Sequence, residues 1–402
     1  MTFILFIIYA IFVGYGAPGS FIGSAWPAIC EELPFDVSYA GYISMTIAIG
    51  VVLANLVCDR ALRKMGTPKF VICGSIFAAI GLGGFSFCST LPMLTALSLV
   101  YGFGSGCTDV ALNNYVAIHY SSRSMNWLHF AWGMGSTLGA PLVGWCIATN
   151  AFGGWRLSYR LGVGIMLLVI VIVLLTMKKW AKTSTEAVAE NKEEGKEAAK
   201  ALSIGEIFKI KGAPYAFITM FCYCAIEQSS ALWASTYLAQ NRGIAAATAA
   251  TWAGFFWSGI TFGRLGCGFI ANKLGDKLLI RAGVITILVG AVLILVPFGV
   301  PGPALAGMLI AGIGCAPVYP CVMHILPVEF GEEKCQSILP ICAACANSGS
   351  IFIPVLLGLV ASVLGIGIFP YAVLIFGILL ILVSERMHSL IKKAKLEAQA
   401  EN

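Results

Sequence analysis

The chain has 402 residues, 59% of them hydrophobic and only 11% charged, with a mean hydropathy of +0.89. Soluble domains carry roughly 25% charged residues, so this balance excludes an ordinary soluble protein. It assigns the net charge of +6 to basic residues at a membrane surface rather than to a nucleic-acid-binding face.

The first run, residues 3–30, carries no charge. It is longer than the apolar core of a signal peptide, about 7–15 residues, and has no basic leader, so it is expected to stay as a membrane helix. Gly14, Gly16, Pro18 and Gly19 interrupt it, and Trp26-Pro27 is expected to end it at a membrane interface. Apolar runs of about 20 residues or more, enough to cross a bilayer, then recur along the chain. They lie at 37–58, 68–88, 91–120, 124–149, 157–177, 212–239, 247–270, 278–298, 303–326, 335–362 and 367–384. The reading is an all-α membrane protein of twelve transmembrane helices in two pseudo-symmetric six-helix bundles.

One long polar stretch separates spans six and seven. It holds eight Lys and six Glu and reads as a solvated, partly helical cytoplasmic linker. The expected organisation is an N-terminal bundle at 1–177, a linker at 178–211 and a C-terminal bundle with a short cytoplasmic tail at 212–402. With both termini in the cytoplasm, every Lys and Arg but Arg156, Arg160 and Arg242 falls on the inner side. The halves also repeat at an offset of roughly 210 residues. Asp59-Arg60 answers Asn272-Lys273, Gly102-x-Gly104 answers Gly312-x-Gly314, and Gly135-to-Gly144 answers Gly349-to-Gly358.

Polar residues inside the spans are the functional candidates, since an ionised Asp at depth costs about 2.5–3.5 kcal/mol and marks a solute or ion pathway. Gly102, Gly106, Asp109 and Asn113 share one helical face, with Asn114 beside them. Gly102 and Gly106 suit helix packing. Asp109 reads either as a proton carrier, its pKa raised by burial, or as a structural hydrogen-bond partner. Asn126, His129, Gly133 and Ser136 share a face of the fifth span; His129 joins a proton relay, binds a hydroxyl, or is a satisfied interhelical group. Glu227 is the second carboxylate, flanked by Tyr223 and Gln228. Trp132 and Trp233 are stacking platforms for a sugar or plain packing residues. Trp155 and Trp252, like Trp26, fit interface belts. Asn113 and Asn114 suit hydroxyl recognition, and Asn347 and His324 are further candidates.

The 14 cysteines lie scattered in apolar runs. Cys222-x-Cys224 and Cys342-x-x-Cys345 have no His nearby and read as small packing residues. No nucleophile–base pair, nucleotide loop or metal spacing emerges, so neither an enzyme nor a cofactor or metal is expected.

The twelve-span plan, the long central loop and the Asp59-Arg60…Arg63-Lys64…Gly66 segment, with its second copy Gly263-Arg264…Asn272-Lys273-Leu274-Gly275-Asp276, resemble the major facilitator superfamily. The resemblance implies that Asp59, Arg60, Arg63, Lys64, Arg264, Asn272 and Lys273 form gating loops. Gly104-x-Gly106-x-x-Asp109-x-x-x-Asn113, then Asn126-x-x-His129, and Phe221-x-Tyr223-x-x-x-Glu227 with Tyr237-Leu238 resemble its fucose/glucose/galactose proton-symporter branch, which has Glu where Asp109 stands. The implied function is proton-coupled symport of a small polar, sugar-like solute by alternating access. Asp109, Glu227 and His129 would couple protons, and Asn113, Asn114, Asn126, Trp132, Tyr223, Gln228, Trp233 and Asn347 would contact solute. The implied setting is a monomer in the plasma membrane, with lipid, proton and solute as partners. A proton-driven exporter and a non-transporting solute sensor are the alternatives.

Overall fold

The computed structural model describes residues 2–120, 122–150, 152–190, 203–296 and 302–400. Helices α1 (Thr2–Gly19) and α2 (Phe21–Glu32) form the first span. They are followed by α3 (Tyr39–Met65), α4 (Thr67–Phe85), α5 (Leu91–His119), α6 (Ser122–Thr149) and α7 (Trp155–Glu190). After a short α8 (Ile204–Lys209) come α9 (Ala213–Thr236), α10 (Ala246–Leu274), α11 (Asp276–Leu295), α12 (Gly302–Phe330), α13 (Glu332–Leu364) and α14 (Phe369–Ala400). Among the described residues this is the expected twelve-helix plan, with no strand.

Eight helical stretches among the described residues are long and apolar enough to cross a membrane by composition. The long helices outside that group are α5, α6, α9 and α10, the ones that hold most of the candidate polar residues. The first span breaks at Ser20, two residues past Pro18, where the Ser20 hydroxyl donates to Ala17 O at 2.9 Å. It does not end at Trp26-Pro27. Trp26 is fully buried and its indole N–H donates to Val37 O at 3.0 Å. Trp155 is likewise buried, donating to Glu32 Oε2 at 2.6 Å. Both indoles spend their single donor on holding the fold together, which corrects their assignment to an interface belt.

The central linker is helical further than its charge implied, because α7 runs on to Glu190. Residues 191–202 of that linker, and Ser121, lie outside the described residues. Beyond them α8 opens on a capping box: Ser203 Oγ accepts from the Glu206 N–H, and the Ser203 N–H donates to Glu206 Oε2 at 2.8 Å. The Ser203 hydroxyl, donating to Glu206 Oε2 at 2.7 Å, and then the Ser203 N–H hold the exposed Glu206 carboxyl below the usual carboxylate range.

The helices group into two compact units, residues 1–196 with 238–254, and residues 197–237 with 255–402. The start of α10 joins the first unit through contacts such as a Gly144 Cβ position 2.5 Å from Ala247 O. In the first unit a polar chain ties three helices: the Tyr15 hydroxyl donates to Ser75 Oγ at 2.9 Å and accepts from Thr108 Oγ1 at 2.8 Å.

The repeat is built into the packing. A Cβ on Gly102 of α5 would lie 2.0 Å from Ile47 O of α3; one on Gly312 of α12 would lie 2.1 Å from Phe256 O of α10. A Cβ on Gly135 of α6 would meet Val13 O of α1 at 2.1 Å, and one on Gly349 of α13 would meet Phe221 O of α9 at 2.2 Å. Gly102→Ala and Gly312→Ala should therefore each force backbones apart and cost about 1–3 kcal/mol. Gly164→Ala, with nothing within 4 Å, is the control. Thermal unfolding in detergent, read by labelling of the buried cysteines, checks this; unchanged midpoints in both seam variants would show that the crossings are loose.

Candidate solute and proton site

In the first unit the candidates lie on α5 and α6. Gly106 closes the seam with α3, its Cβ position meeting Val51 Cα and Ala54 Cβ at 2.8 and 2.9 Å. One turn later the same helix reaches the surface. Asp109 and Asn114 are exposed and Asn113 is half-buried. The small-residue face is packed at Gly102 and Gly106 and open at Asp109. The Asn113 amide donates to Asp109 Oδ1 at 3.0 Å and to Asp109 O at 2.9 Å, so the carboxylate is hydrogen-bonded and accessible at once. On α6, Asn126 and His129 are exposed and Trp132 is half-buried. Ser136, further along, is buried and donates to Gly16 O at 3.0 Å, so the helix turns from an open polar start into a packed seam with α1.

In the second unit the site is an ion pair. Glu227 sits in the middle of α9, and Arg264 lies well inside α10, with Nη2 3.7 Å from Glu227 Oε1. The two side chains are 12% and 28% exposed. Tyr223, one turn before Glu227, is fully buried, and its side chain interacts with both Glu227 and Arg264. Tyr223 also packs against Tyr319 of α12, with ring centroids 6.0 Å apart. Gln228 is half-buried beside Glu227, and Asn347 is exposed on α13.

Three sequence assignments change here. Arg264 is not at a loop; it faces Glu227 from within a helix. Trp233 is fully buried and its indole N–H donates to Pro354 O at 3.0 Å, so it braces α9 against α13 and offers no platform to solute. Tyr223 stands behind the ion pair, its ring enclosed. The remaining gating residues lie on the last turns of α3 and α10, not in loops. Each helix runs on until a glycine at positive φ, Gly66 at 76° and Gly275 at 75°, redirects the chain. Arg60, Lys64 and Lys273 are exposed; the side chains of Asp59, Arg63 and Asn272 lie outside the described residues.

His324 accompanies Asp276 at 2.8 Å, near the start of α11, where Lys277–Glu329 at 3.0 Å and Arg281–Glu385 at 2.6 Å add further pairs. A crevice of about 350 Å³ between α1, α6 and α7, lined by Gly14, Leu138, Leu168 and Val169 among others, is apolar and contains none of the candidate residues. Among the described residues no cluster of three His, Cys, Asp or Glu could hold a metal.

Repeated helical bundles with ionisable groups placed inside their spans are the construction of a multi-span membrane transporter. The chain belongs to the Major Facilitator Superfamily, whose family model matches residues 2–339. It is 20% identical over 291 residues to Bypass of stop codon protein 6 of Saccharomyces cerevisiae, covering 66% of this chain and 56% of that protein. It is 22% identical over 251 residues to the cis,cis-muconate transport protein of Acinetobacter baylyi, covering 60% of this chain and 57% of that one. The chain thus spans little more than half the length of these curated relatives. The crystal structure of a D-xylose-proton symporter overlays with a TM-score of 0.74 at 14% identity, covering 96% of this chain and 97% of that one, a likeness of fold.

Proposed function

We propose that the protein is a proton-coupled symporter of a small polar, sugar-like solute, a monomer of the plasma membrane working by alternating access. The observation that carries this reading is Asp109: a carboxylate within an apolar helix read as a span, its side chain exposed in the structure and hydrogen-bonded by Asn113. Lipid does not tolerate an exposed carboxylate at depth, so such a group belongs to an aqueous path. Asp109 is the proton carrier, with His129 as a relay, and Asn113, Asn114, Asn126 and Trp132 contact the solute. Glu227, Gln228 and Asn347 form the second unit's share, where Glu227 acts on solute or as a second coupling group.

The resemblance of α5, α6 and α9 to the fucose/glucose/galactose branch supports the sugar class. The names of similar proteins, a sugar–proton symporter and a muconate transporter, are compatible with a small hydroxylated or acidic solute.

Solid-supported-membrane recording tests the proposal. Adding galactose, xylose or a hexuronate to proteoliposomes should drive inward proton movement in the wild type. No proton signal with any of them would remove sugar-like symport. Topology is checked separately. Green fluorescent protein fused after Lys196 or Asn402 should fluoresce, and alkaline phosphatase at those points should be inactive, because the proposed orientation has both in the cytoplasm. The opposite pattern would invert the orientation.

A further inference from the structure

The crevice between α1, α6 and α7 lies apart from the candidate solute site. Its lining side chains are all apolar, so its space of about 350 Å³ offers no partner to water or to a polar solute. Leu138 of α6 and Leu168 of α7 line it and are 56% and 58% exposed, so it opens to the side of the helices. The faces that line it continue to one end of the first unit. On α7, Ile165, Val169 and Ile172 line the crevice, and Thr176 and Lys179 come next on that face. On α1 the stripe steps back from Gly14 and Ala10 to Phe6 and Phe3, both exposed. The two stripes meet there, with Lys179 Nζ 4.1 Å from the centre of the Phe3 ring. Lys178 is exposed beside it, and Trp127, about three turns before Leu138 on α6, is exposed as well.

Aromatic rings beside Lys are the marks of the headgroup level of a bilayer. Lys179 stands seven residues beyond Ile172 and fourteen beyond Ile165. That is about 10 to 21 Å along the helix at 1.5 Å per residue. One leaflet's hydrocarbon is about 15 Å deep. The crevice therefore lies where the far half of an acyl chain runs when its phosphate is level with Lys179. We propose that the crevice holds one acyl chain of an anionic phospholipid whose phosphate is held by Lys178 and Lys179. Charge complementarity selects this occupant: a long apolar chain tied to an anion matches an apolar crevice that leads to two adjacent ammonium groups.

Native mass spectrometry of the detergent-purified full chain, titrated with dioleoyl phosphatidylglycerol and with dioleoyl phosphatidylcholine, tests this. The wild type should bind the anionic lipid about fivefold tighter or more. Lys178→Gln with Lys179→Gln should bring the two lipids to equal affinity. Ala10→Trp fills the crevice from an exposed small residue and should weaken the anionic lipid several-fold. Leu167→Trp, at the same depth on the opposite face of α7, should leave it unchanged. Should a variant fail to fold, Lys179→Gln alone and Ala10→Leu decide on the same criteria. Equal affinity of the wild type for both lipids overturns the anionic assignment. A preference that survives in the Lys variants overturns the headgroup site, and full affinity in the Ala10 variants overturns the crevice. A dimer that carries no lipid and is lost in Ala10→Trp assigns the crevice to a second copy and overturns the proposal.

Discussion

Arg264→Gln is expected to lower uptake more than tenfold and to destabilise the protein, and adding Glu227→Gln should restore much of the stability and none of the uptake. Removing one member of a buried ion pair leaves the other charge uncompensated, at about 3–5 kcal/mol in a sealed site. Here the partners are 12% and 28% exposed and separated by 3.7 Å, so solvent screening reduces the expected loss to about 1–3 kcal/mol. The double variant holds neither charge and sheds that penalty. Uptake stays lost because the guanidinium itself is gone. Melting temperatures of the four proteins form a double-mutant cycle that isolates the pair. Additive losses would mean that the two side chains do not sense each other and would demote the pair to bystanders.

Asp109→Asn is expected to separate exchange from accumulation. The amide has nearly the volume of the protonated acid and cannot release a proton. It still offers an oxygen to the Asn113 amide, now 3.0 Å from Asp109 Oδ1. A closed carrier disfavours an isolated ionised carboxylate, so the wild type must load a proton before crossing and discharge it on the other side. The variant is permanently in the loaded form. It should exchange labelled for unlabelled solute at close to the wild-type rate, since the amide keeps the volume and the Asn113 partner of the loaded form. Its accumulation ratio should fall to one, a complete loss of uphill transport. Uphill uptake that survives would move the coupling role to Glu227 or His129.

Much of the fold was legible because the bilayer imposes it. A span must be about 20 apolar residues long, and basic residues collect on one side. The repeat was legible because close helix crossings need glycine at matching places, as Gly102 and Gly312 show against the carbonyls of Ile47 and Phe256. Helix ends were less legible. Hydropathy stops α3 near Cys58, yet the helix continues to Met65, because charged residues are good helix formers and only the turn at Gly66 ends it.

In the site, Asp109 and Glu227 stood out as carboxylates in apolar runs. Arg264 did not, because a basic residue near the inner end of a span is counted with the surface charge. The available signal was a second charge of opposite sign in the neighbouring span. Trp233 could not be told from a solute platform, because a helix presents the same sequence whether its indole binds a ligand or donates to Pro354 O.

The most direct test of the account is uphill accumulation in proteoliposomes under an imposed proton gradient, acid outside. Radiolabelled galactose is followed, with galacturonate in parallel. The wild type should concentrate at least one of them above its external level, and a protonophore should collapse the gain to equilibrium. Equilibration alone, equal with and without the gradient, would contradict proton-coupled symport.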